Sequence, residues 1–127
     1  MKKNILVIDD DKLILKTIRR LLEKKGYAVV CASDPDEAED LASKTNFDLL
    51  ISDIRMPGKD GISLIRKIKE EHFKQGNPDP PFIFITGYAN ENTPTEAERL
   101  GANGYILKPF DLEIFLSTIE KAINASS

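Results

Sequence analysis

A single cysteine, Cys31, excludes any disulfide within the chain and with it the stapled scaffolds of small secreted proteins. In a reducing compartment it reads as a small buried hydrophobe closing a strand. Long apolar runs are missing too. The longest extend five or six residues, far short of a membrane span, and no apolar segment follows the Met-Lys-Lys-Asn start as a secretory signal would require. The expected setting is therefore cytoplasmic, away from any membrane. A basic excess is also absent: Lys plus Arg number 18 against 21 Asp plus Glu, a formal charge of −3, with no basic stripe to draw in nucleic acid. No internal repeat or low-complexity tract occurs.

What is present suffices for one domain over residues 1–127. Apolar residues make up 41%, enough to bury a single core, and charged residues make up 31%, enough to solvate its surface. Short apolar runs alternate with longer amphipathic segments, the pattern of a parallel sheet covered by helices. Residues 5–8 read as a central strand, apolar at every position because both faces are covered. Ile14, Ile18, Leu21 and Leu22 then recur at helical spacing until Gly26, a residue suited to a left-handed cap. Residues 27–31 form a second strand. Asp34-Pro35-Asp36-Glu37 opens a second helix with a cap, a first-turn proline and a capping-box acid; Ala38, Leu41 and Ala42 make its inner face.

Residues 47–51 are the third strand, and Met56-Pro57-Gly58-Lys59-Asp60-Gly61 is a tight loop before a helix over 62–71 with Leu64, Ile65 and Ile68 inward. Residues 73–81, with Gly76 and three prolines, read as a linker, beside which His72 should face solvent. Residues 82–85 make the fourth strand. Thr93-Pro94-Thr95-Glu96 is a capping box opening a short, loosely held helix that ends near Gly101. Residues 104–107 are the fifth strand, and Asp111 caps a last helix whose apolar residues include Leu112, Phe115, Leu116 and Ile119. The expectation is five strands and five helices in an α/β fold.

Polar residues collect where these strands stop. Asp9 and Asp10 end the first run, Asp53 follows the third, Thr86 ends the fourth and Lys108 ends the fifth. Ligands of doubly wound sheets bind beyond the carboxyl ends of the strands, so such residues can share one site. Singly, each has an ordinary explanation: an Asp after a strand caps a helix, and a Lys before Pro is solvated. Together, in order and each at a strand end, they describe a phosphoryl-transfer site. Three carboxylates repel one another unless a cation joins them, and hard oxygen ligands suit Mg²⁺, with Mn²⁺ as a substitute. Asp10 and Asp53 are the direct ligands, with Asp9 acting directly or through water.

The segments Val7-Ile8-Asp9-Asp10-Asp11, Asp53-Ile54-Arg55-Met56-Pro57-Gly58, Thr86-Gly87 and Lys108-Pro109-Phe110 resemble the receiver domain of two-component response regulators, and the likeness spans essentially the whole chain. It implies a flavodoxin-like, doubly wound sheet of order 2-1-3-4-5 and transfer of a phosphoryl group to Asp53 from a sensor histidine kinase or phosphotransfer protein. It further implies that the Arg55 main-chain carbonyl is a metal ligand, that Lys108 pairs with a phosphoryl oxygen, and that the Lys108–Pro109 bond is cis. Thr86 and Tyr105 would be the switch: the Thr86 hydroxyl moves to the phosphoryl group, Tyr105 turns inward, and the surface of the fourth helix, fifth strand and fifth helix changes. Arg55 and Tyr88, two residues beyond Asp53 and Thr86, are bulky enough to obstruct the water that hydrolyses the phosphoryl group.

Two departures stand out: Gly87 replaces a common Ala, and the 73–81 stretch is longer than usual. Two rival readings remain. A haloacid-dehalogenase-type phosphohydrolase also forms an aspartyl phosphate, but its second Asp is here Arg55. A constitutive protein-binding module would be expected to lack one of the site residues, and none is missing. The chain would thus catalyse only its own phosphorylation and dephosphorylation. It would act either free-standing, through a downstream protein, or on an output domain, as a monomer or as a homodimer formed on phosphorylation. Leu13 and Leu15, off the helix's core stripe, are candidate kinase contacts.

Overall fold

A computed structural model describes residues 2–87 and 93–125. Its elements alternate as β1 (Asn4–Ile8), α1 (Lys12–Lys24), β2 (Ala28–Ala32), α2 (Pro35–Lys44), β3 (Leu49–Asp53), α3 (Gly61–Lys74), β4 (Phe82–Thr86), α4 (Thr93–Leu100), β5 (Gly104–Leu107) and α5 (Leu112–Ala125). The strands form one parallel sheet in the order β2-β1-β3-β4-β5. Every crossover is a helix, so both faces of the sheet are covered and its inner strands are mainly apolar, with polar residues confined to their ends. No helix of the described residues is long and apolar enough to cross a membrane.

Strand alternation divides the core in two. Ile5, Val7, Ile51, Ile83 and Ile85 pack with Ile18 and Leu22 of α1 and Phe115 and Ile119 of α5. Leu6, Ile8, Leu50, Phe82 and Phe84 pack on the other side with Ala38 of α2, Leu64, Ile65 and Ile68 of α3, and Ala97 of α4. Short polar side chains fix where the helices begin. Asp11, Asp34, Asp60 and Asp111 each accept amide hydrogen bonds from the first turn that follows, contributing about 1 kcal/mol per cap. Gly26, at φ +93°, lets the chain turn back from α1 into β2.

Several boundaries differ from the sequence expectation, and each difference has a cause. Strands β2 and β3 run one and two residues later, because register with β1 pairs Ala32 with Ile8 and Ser52 with Ile8. Asp53 is therefore the last residue of β3. Leu15 is not a surface contact: it is 6% exposed and packs with Ile18 and Leu22, because capping by Asp11 sets the phase of α1 so that 15, 18 and 22 face the sheet. Leu13 is exposed as expected. Cys31 is half-buried rather than buried, packed at the edge of the α1 side.

His72 is the largest correction. Helix α3 continues to Lys74, which leaves only residues 75–81 as linker and places His72 four residues after Ile68 on the inner stripe. It is buried, with Nε2 3.2 Å from the Ala42 carbonyl oxygen of α2 and Nδ1 3.3 Å from that of Pro78. The lone histidine thus ties α2, α3 and the linker together. The capping box at Thr93 is only partly within the described residues, and α4 begins at Thr93 and ends at Leu100, near the expected Gly101.

Gly61 starts α3 against the end of β3. Its N–H donates to the Ile54 carbonyl at 2.7 Å, and a Cβ at this position would lie 2.0 Å from the Asp53 carbonyl oxygen. No side chain fits there without displacing backbone. Gly61→Ala should lower unfolding free energy by roughly 3 kcal/mol or more in urea titration, whereas the same change at exposed Gly58 should cost less, through its positive φ alone.

Candidate functional site

Four strand ends meet at one edge of the sheet. Asp9 follows β1 directly and is fully buried; its carboxylate accepts the Asp11 N–H at 2.9 Å. Asp10 is exposed beside it. Because β1 and β3 are adjacent, with Ile8 opposite Ser52, Asp53 reaches the same point and is itself 6% exposed. One carboxylate oxygen from each of Asp9, Asp10 and Asp53 lies within 4.8 Å of the others.

Lys108 completes the cluster from β5. Its ammonium donates to Asp9 Oδ2 at 2.8 Å and lies 3.5 Å from Asp53 Oδ2. Its backbone N–H donates to the Thr86 carbonyl at 2.8 Å, which locks the Lys108 segment to the end of β4, and the Lys108–Pro109 peptide is cis. Thr86 is fully buried. Arg55 is exposed in the loop after β3. Tyr105 on β5 is half-buried against the core on the α2–α3–α4 side, with its hydroxyl buried and lacking a hydrogen-bond partner among the described residues. Tyr88 lies outside the described residues.

The electrostatics follow from this crowding. Burial, and then the Asp9 charge, push the Asp53 carboxyl above its ordinary range; the Lys108 ammonium and the Ile54 amide oppose them and do not win. Burial alone would lower Lys108, but its hydrogen bond to Asp9 and the charges of Asp9 and Asp53 outweigh it and hold the ammonium more firmly protonated. The site is therefore short of positive charge. Its donors are all hard oxygens, converging from two strands with one acid still open to solvent, a set that fits a small divalent cation such as Mg²⁺.

The model of the response regulator receiver domain matches residues 5–120. The chain belongs to this family. The receiver is 34% identical over 124 residues to the transcriptional regulatory protein CrdR of Helicobacter pylori, covering 98% of the chain and 56% of that protein. It is 37% identical over 126 residues to the DNA-binding transcriptional regulator NtrC of Escherichia coli, covering 98% of the chain and 26% of that protein. The receiver thus spans little more than half of one relative and about a quarter of the other. Among solved structures it superposes on a Burkholderia pseudomallei response regulator carrying a phosphorylated aspartic acid, a calcium ion and citrate. That match has TM-score 0.82 and 34% identity, covering 98% of this chain and 71% of that one. The fold and the place in two-component signalling follow from family membership.

Sequence reasoning missed two contributors. Gly61 carries no chemistry, and only the fold reveals that the Asp53 carbonyl occupies the space of its missing side chain. Glu39 and Lys59 pair across the gap between α2 and the β3–α3 loop, and nothing in the order of residues announces that contact.

The raised Asp53 carboxyl predicts a pH dependence. In the unfolded chain Asp53 ionises near its ordinary 3.8, and in the folded receiver at higher pH. Between these values the folded state holds more protons, so this group's contribution to stability falls as pH rises, and the full penalty persists at pH 7. In chelator, Asp53→Asn should therefore be more stable than wild type to urea at neutral pH, and the gap should close as pH falls below about 4.

Proposed function

We propose that this receiver takes a phosphoryl group onto Asp53 from a phosphohistidine of a sensor histidine kinase or phosphotransfer protein, with Mg²⁺ required. The observation that carries the reading is the meeting of Asp53 with Asp9, Asp10 and the Lys108 ammonium at the carboxyl edge of the sheet. An Asp53 carboxylate oxygen attacks phosphorus in line. The new O–P bond forms as the P–N bond breaks, and the electron pair leaves on the donor imidazole. Asp9, Asp10, Asp53 and the Arg55 carbonyl would hold Mg²⁺, which offsets the negative charge spread over the phosphoryl oxygens during transfer.

The chain's own groups do the rest. Lys108, now shared between Asp9 and Asp53, is placed to pair with a phosphoryl oxygen once Asp53 is esterified. Thr86, at the end of β4, supplies a hydroxyl donor to another oxygen. Its movement would be coupled to Tyr105, whose buried hydroxyl has no partner among the described residues, which makes the present position costly and a second one accessible. Helix α4 beside it is only eight residues long, and so is easily displaced. The α4–β5–α5 surface then acts on a downstream protein or an output domain, as a monomer or as a homodimer formed on phosphorylation. The phosphodonor docks where exposed Leu13 and half-buried Ile14 face Pro109 and Phe110 beside Lys108. The phosphorylated aspartic acid and calcium ion of the Burkholderia relative support the chemistry.

Intact mass after incubation with acetyl phosphate tests the acceptor. A gain of about 80 Da that needs Mg²⁺ and is absent in Asp53→Asn is expected; no gain under any condition would make the chain a constitutive binding module. In the phosphorylated receiver, Arg55→Ala and Tyr88→Ala should each shorten the phosphoryl half-life by admitting water, and unchanged decay in both would remove the shielding role.

A further inference from the structure

The loop of residues 54–60 carries the Arg55 carbonyl, and little of it is buried. Arg55, Pro57, Gly58 and Asp60 are exposed, and Gly58 has φ +89°. Near its root, Met56 packs inward and the Gly61 N–H closes the turn onto the Ile54 carbonyl. Beyond Met56, one half-buried side chain reaches across to another element. Lys59 pairs with Glu39 of α2, and the other Glu39 oxygen accepts Lys67 of α3 at 3.3 Å.

Within this group the Lys59–Glu39 contact is more sheltered than the ion pairs of the surface, while Lys67 is half exposed. The side chains of Glu39 and Lys59 are 22% and 31% exposed, against 70% and 60% for the Lys44–Asp40 pair of α2. Salt and water therefore screen it less. Burial pushes the Glu39 carboxyl up, but hydrogen bonds and charge from Lys59 and Lys67 overcome that and hold it below its ordinary range. The carboxylate is satisfied on both oxygens, by two different elements.

We propose that Glu39 is a positioning residue for the metal site: by gripping Lys59 and Lys67 it fixes residues 54–60 against α2 and α3, so that the Arg55 carbonyl is placed before a cation arrives. This rests on the reading of Arg55 as a ligand. A preformed loop removes an ordering cost that metal binding would otherwise carry. Glu39 lies outside the carboxylate cluster and reaches the loop through Lys59, with Lys67 holding its other oxygen.

Two neutralising substitutions of opposite sign separate positioning from simple electrostatics. Glu39→Gln removes a negative charge and would weaken cation binding through space, whereas Lys59→Met removes a positive charge and would strengthen it. Positioning predicts that both weaken it. Mg²⁺ affinity measured by calorimetry on the full chain should fall roughly tenfold in each variant, and no further in the double variant. Hydrogen exchange of the 54–60 amides, read without metal, should accelerate severalfold in both. Tighter Mg²⁺ binding by Lys59→Met, or loop exchange unchanged in both variants, would overturn the proposal. A wild-type chain that binds no Mg²⁺ would overturn the metal role itself, while faster loop exchange in the variants would still identify the clamp, so the two failures are distinguishable.

Discussion

Asp9 and Asp53 are two like charges that adjacent strands force together under cover, and the Lys108 ammonium between them is their one direct cationic contact among the described residues. Isolated charges are expensive to bury, and a pair of the same sign more so. The sheet keeps them there because its order places β1 beside β3 and anchors both with side chains that are wholly buried. Ile5, Leu6, Val7, Ile8, Leu49 and Ile51 are all at 0% exposure. The stability that the site withdraws is supplied by that apolar body, and the site gains a standing need for positive charge.

That need organises the surrounding parts. Lys108 is fixed through its backbone N–H to the Thr86 carbonyl, so the ammonium is held in place by the end of the neighbouring strand. Gly61 brings the start of α3 against the Asp53 carbonyl, and Glu39 reaches over the loop between them. The Asp53 backbone is thus held against the start of α3, and the loop that follows it is tied to α2. The open side of the carboxylate cluster belongs to Asp10.

The fold was largely legible because it is written in local pattern. Apolar runs alternating with amphipathic helices specify a parallel sheet, and Asp34 and Asp111 were readable as caps because each hydrogen-bonds amides of its own first turn; Asp11 and Asp60 do the same without having been singled out. The acidic site was legible through motif order, yet its geometry was not. Asp9 and Asp53 are neighbours only because β3 inserts beside β1, a fact of topology. Leu15 was misplaced because the phase of α1 depends on its cap, and one residue of phase carries a side chain through about 100°. His72 was misread because α3 runs on past it and buries its ring between Ala42 of α2, thirty residues away, and Pro78 of the linker. One error is thus local, a matter of where a helix begins, and the other tertiary, a matter of what packs over its end.

The division of the core by strand alternation has a consequence for the site. Asp9 continues the parity of Val7, Asp53 that of Ile51 and Lys108 that of Ile106, all residues of the α1–α5 side. Thr86 continues the parity of Phe84, and Tyr105 packs on the α2–α3–α4 side. Two of the three clustered carboxylates and the Lys108 ammonium thus continue one face of the sheet, and Thr86 and Tyr105 the other. Among the described residues, the two halves of the core share no side chain across the sheet. Repacking one face therefore leaves the footing of the other unchanged, so Asp9 and Asp53 rest on one half of a small domain and Tyr105 on the other.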